Sequence, residues 1–98
     1  MHEVHVFVGS AASLVAEATG HPVGERHAVL VFLRQLAATT HDFAGAEALL
    51  EAESWGNVAL ERGGTLGPVN DAGEFADMHR SALAKGGAIV VYSKPLPA

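Results

Sequence analysis

Residues 27–33, HAVLVFL, constrain the fold more than any other part of this chain. Six apolar residues follow one another, with Arg26 and Arg34 at the two ends. The run is short for a helix, and Val29 and Val31 are β-branched. It reads as a strand buried on both faces, so material must lie on either side of the sheet that contains it.

The rest of the chain supplies that material in two periods. Residues 3–8 (EVHVFV) alternate, with Val4, Val6 and Val8 on one face and His5 and Phe7 on the other. Residues 57–62 (NVALER) alternate again, with Val58 and Leu60 inward, and residues 88–92 (AIVVY) form a last strand that Pro95 and Pro97 terminate. Residues 41–53 carry a helical stripe of Phe43, Ala46, Leu49 and Leu50, with Thr40 as N-cap. Residues 71–85 carry a second stripe, opened by an Asp71–Glu74 capping box and ended by Gly86-Gly87. The segment 11–18 reads as a short helix, with a strand extension as the alternative.

The expected architecture is a single α+β domain over residues 1–98. It is a four-stranded mixed sheet with both helices on one face, in the general manner of a ferredoxin-like sandwich. Two helices on one face leave the other bare, exposing Phe7, His5, Val90 and Tyr92. A second copy of the chain or the segment 10–19 should cover it, and a homodimer is the expectation.

Composition removes several functions. The chain has 98 residues, 49% of them apolar, and no cysteine, so disulfides, thiolate metal sites and cysteine nucleophiles are excluded. The net charge of −5, with basic residues scattered singly, argues against nucleic acid as a partner. No apolar run approaches the ~20 residues of a membrane helix, and the first residues lack the features of a secretory signal. The expectation is a cytoplasmic protein that binds neither membrane nor nucleic acid.

His79 is the sharpest candidate site residue. At 100° per residue it falls within the apolar stripe of the last helix, with Phe75, Ala76, Ala82 and Leu83. A group that titrates near neutrality is thus aimed at the core or at a cleft beside it. Tyr92, on the following strand, is the expected neighbour if His79 acts as an acid or base. Trp55, the one tryptophan, together with Phe7 and His5, is the candidate surface for a partner, although packing of the indole against the sheet is the commoner use. The remaining histidines show no metal-ligand pattern: His2 and His5 point to opposite faces of a strand, and His21, His27 and His41 lie apart. The loop GGTLGP at 63–68 lacks the lysine of a phosphate-binding loop. No metal and no cofactor are therefore expected.

The balance favours a non-catalytic domain that binds a protein or a small ligand. An acidic surface suits a basic protein partner, as in an adaptor or a toxin-neutralising protein. The alternative is a small enzyme of the dimeric α+β barrel type, with His79 or Tyr92 as acid–base group. An apolar cavity at His79 with a second polar group in reach distinguishes the enzyme.

Overall fold

The structure is a computed structural model that describes residues 1–67 and 73–97. Four strands and three helices follow in the order β1 His2–Ser13, α1 Ala16–Thr19, β2 Arg26–Leu36, α2 Phe43–Ala52, β3 Trp55–Thr65, α3 Ala76–Lys85 and β4 Gly87–Pro95. The strands form one sheet in the order β3-β1-β2-β4. The apolar run 27–33 lies in β2, inside the sheet, where Val29 and Val31 are fully buried on one face and Leu30 and Phe32 nearly so on the other.

The sheet is antiparallel throughout rather than mixed. β1 and β2 form a long ladder from His2↔Leu36 to Ala12↔Arg26. The chain then passes through α2 and returns as β3 on the far side of β1. β2 and β3 consequently run the same way, but β1 lies between them, so no adjacent pair is parallel.

The two longer helices lie on opposite faces, which corrects the expectation of a two-layer, ferredoxin-like arrangement. Strand side chains alternate between faces, and the two cores follow that alternation. Ala46 and Leu50 of α2 pack with Phe7, Ala11, Val29, Val31 and Trp55. Ala82 of α3 packs with Val4, Leu30 and Phe32. A strand apolar on both faces is satisfied within one chain, and the bare face that motivated a homodimer does not exist.

Local departures have local causes. Residues 11–13 continue β1 instead of starting a helix, because Ala11 pairs with His27 and Ser13 with Trp55. Only one helical turn, α1, remains of the expected helix. Asp42, not Thr40, caps α2, its side chain accepting from the Gly45 amide at 2.9 Å. The expected capping residue Asp71 lies outside the described residues. Gly9 sits where the β1–β3 register shifts. A Cβ there would run into the Ala59 carbonyl oxygen and stand 2.7 Å from Leu60 Cα, so the two strands approach closely only because that side chain is absent.

Candidate functional site

α3 presents His79 to the sheet, four residues from Phe75 and three from Ala82. His79 is 8% exposed, and among the described residues nothing hydrogen-bonds its ring nitrogens. The ring lines a cavity of about 390 Å³ between α3 and the sheet. Val6, Leu30, Phe32, Leu66 and Phe75 form the apolar walls, and His79 is the one polar side chain among the described lining residues. No fully buried side-chain nitrogen or oxygen among the described residues lacks a partner, so the His79 ring nitrogens keep some contact with solvent, and a polar ligand group in the cavity would take the place of that water.

Tyr92 is not its neighbour. The Tyr92 side chain is 46% exposed and does not line the cavity. The other sequence candidates are core residues of the opposite face. His5 and Phe7 are fully buried and Trp55 is 3% exposed, which leaves them no surface to offer a partner. His5 and Phe7 looked exposed in sequence because α2 was expected on the other side of the sheet, whereas the indole of Trp55 packs in the core, the commoner use.

On that face two histidine clusters form that the sequence reading missed. The first joins Glu3, His5 and His41. His5 Nε2 lies 2.6 Å from Glu3 Oε2, and His5 Nδ1 lies 2.8 Å from His41 Nδ1. The protons close without conflict: His5 Nε2–H donates to the carboxylate, and His5 Nδ1 accepts from His41 Nδ1–H. The His41 ring stands edge-on to His5, and Phe7 and Phe43 pack beside it.

The second cluster joins His21, Glu25 and His27, whose ligand-capable atoms all lie within 4.8 Å of one another. Glu25 precedes β2 and pairs with Ser13 through its backbone, the Ser13 amide donating to the Glu25 carbonyl at 2.9 Å. Glu25 and His27 are two apart on extended chain, so both face the same side. His21 folds back over them through Gly20, whose φ of 78° favours glycine. The His21 backbone is held there by Ser13 Oγ, which donates to its carbonyl at 2.9 Å, and by Thr19 Oγ1, which accepts from its amide at 3.2 Å. The two rings lie 4.0 Å apart, and Trp55 packs at 6.0 Å from His21 and 5.8 Å from His27. The spacing H-x₃-E-x-H across a glycine-flanked turn was the sequence signal for this cluster.

The chain matches no protein-family model, no curated protein and no solved structure. Among the described residues no helix is long and apolar enough to cross a membrane.

Proposed function

We propose that the chain is a small-molecule binding domain whose ligand sits between α3 and the sheet. The observation that carries this reading is the cavity of about 390 Å³ with apolar walls and one unpartnered, nine-tenths buried imidazole. The volume lies at the lower end of small-molecule sites. The chemistry of the walls calls for an apolar ring or short chain with one hydrogen-bonding head, a hydroxyl or a carboxylate, placed at His79. Binding is favoured over catalysis because an acid–base mechanism needs a second positioned polar group, and the described lining supplies only His79. With a helix on each sheet face, a second copy loses the apolar face that argued for it, and a basic protein partner rests on the acidic charge alone, whereas the small ligand has a cavity to occupy.

The test uses a matched pair of probes, naphthol and methylnaphthalene, which share a ring system and differ in one polar group. Thermal unfolding of the parent chain should be raised more by naphthol. In His79→Leu that preference should vanish or reverse, because the hydrogen bond is gone and the apolar walls remain. Stabilisation by neither probe, or an unchanged preference in the variant, overturns the proposal.

A further inference from the structure

The hydrogen bonds of His27 do not close as those of His5 do. His27 Nδ1 lies 2.7 Å from the Tyr92 carbonyl oxygen, and His27 Nε2 lies 2.7 Å from Glu25 Oε1. A carbonyl oxygen accepts only, and so does an ionised carboxylate. A neutral imidazole carries one proton and can serve one of them. With Nδ1–H given to Tyr92, the Nε2 lone pair faces a carboxylate lone pair at 2.7 Å. The ring is fully buried, so water does not relieve the conflict. The gap between nitrogen and oxygen calls for a positive charge, either a second proton or a metal ion.

The third residue decides between these. A proton would need only His27 and Glu25. His21 brings its own Nδ1 to 3.9 Å from the same Glu25 oxygen and its ring against His27, with its side chain 24% exposed. We propose that His21, Glu25 and His27 bind a divalent transition-metal ion. Two imidazoles and one carboxylate suit zinc or a neighbouring first-row metal; calcium and magnesium prefer all-oxygen sets. Ligand atoms around a tetrahedral ion with bonds of ~2.0–2.2 Å stand ~3.3 Å apart. The observed 2.7 and 3.9 Å straddle that separation, so small side-chain rotations complete the site. The Tyr92 carbonyl holds Nδ1–H and turns Nε2 to the ion, the outer-shell arrangement usual for a metal-bound histidine. Three protein ligands leave a fourth position for water or an incoming group. Trp55, which also lines a separate groove of about 330 Å³ with Thr19 and Glu53, stands between that groove and the two rings.

The proposal is independent of the pocket at His79, which lies on the opposite face. Its test titrates the full, metal-free chain with Co²⁺ and Zn²⁺. Cobalt should bind one per chain, with the intense visible absorption of a low-coordinate site and quenching of Trp55, and zinc should displace it. His21→Ala and Glu25→Gln should each weaken binding by more than the ~10–100-fold typical of losing an outer-shell partner. His41→Ala, in the other cluster, should leave affinity and quenching unchanged. The proposal is overturned by absence of binding in the parent chain, by unchanged affinity in the His21 and Glu25 variants, or by an equal loss in His41→Ala.

Discussion

The two faces of the sheet are built from the same strands and finished differently. Under α2, the side chains of His5, Phe7, Ala11, Ser13, His27, Val29 and Val31 are all fully buried, and three of these seven are polar. Under α3, Val4 and Phe32 are buried, but Val6, Val8 and Val90 are only half-buried, and Val6 lines the open cavity. The polar-rich face thus closes over its buried histidines and carries its groove of about 330 Å³ beside Trp55 and Leu49, whereas the apolar face has its cavity at the buried histidine itself. Burying a polar group is tolerable where a partner meets it, and under α2 each histidine has one. Under α3 the single buried histidine has none among the described residues, and the space beside it is where one would go. The comparison separates a face whose buried histidines meet protein atoms from a face whose buried histidine meets none among the described residues.

The largest effect should come from where the strands themselves meet. Gly9→Ala forces a methyl group into the β3 backbone at Ala59 and Leu60. A clash with backbone cannot be relieved by a rotamer change, so a loss of at least about 3 kcal/mol is expected. Urea denaturation measures it; a loss under about 1 kcal/mol would mean the strands are less tightly apposed at that bulge.

Next comes a paired truncation of the two faces. Leu50→Ala, in the closed core, should cost about 3–5 kcal/mol, because nothing can collapse into the space. Phe75→Ala, beside the existing cavity, should cost about 1–2 kcal/mol, because its ring is only half-buried and the site is already open. Equal costs would erase the contrast between the faces.

Within the closed face, the histidine clusters should separate under metal and pH. Zinc should raise the unfolding temperature of the parent chain near pH 7 and lose that effect towards about pH 5, as protons compete for the imidazole nitrogens. Glu3→Ala removes the acceptor of the buried His5 Nε2–H, and should cost about 1–2 kcal/mol while leaving the zinc effect intact. Glu25→Ala should abolish the zinc effect. Loss of the zinc response in the Glu3 variant would move the ion to the wrong cluster.

The smallest change in stability should be His79→Leu. Leucine has comparable reach and a better helix propensity, and no partner among the described residues is left stranded. A change within about 1 kcal/mol in the ligand-free protein is expected. A loss well beyond that would show that the ring is held by the protein itself and is not waiting for a ligand.

Much of this molecule was legible as elements. Period-two alternation located parts of β1 and β3, short apolar runs located β2 and part of β4, and the stripe around His79 correctly put that ring on the inner side of α3. The ends were less legible. Residues 11–13 became strand because two neighbouring strands pair with them, and α2 is capped two residues later than expected because the Asp42 side chain reaches Gly45. The metal-like cluster went unread for a similar reason. Glu25 and His27 share a face by local geometry, but His21 joins them only through the return of the chain at Gly20 and its anchoring on Ser13 and Thr19.

Local pattern set which side chains share a face, because side-chain direction follows backbone period. It determined that β2 needs cover on both sides, because both of its faces are apolar. What supplies that cover depended on how the elements assembled. A helix between two strands can cross over either face, and the face depends on strand order, which no local pattern records. Placing α2 and α3 on opposite sides removed the bare face on which the argument for a second copy rested, buried His5, Phe7 and Trp55, and left a cavity at His79. The register of a single hairpin did the rest, bringing a buried imidazole nitrogen and a carboxylate oxygen to face one another at 2.7 Å.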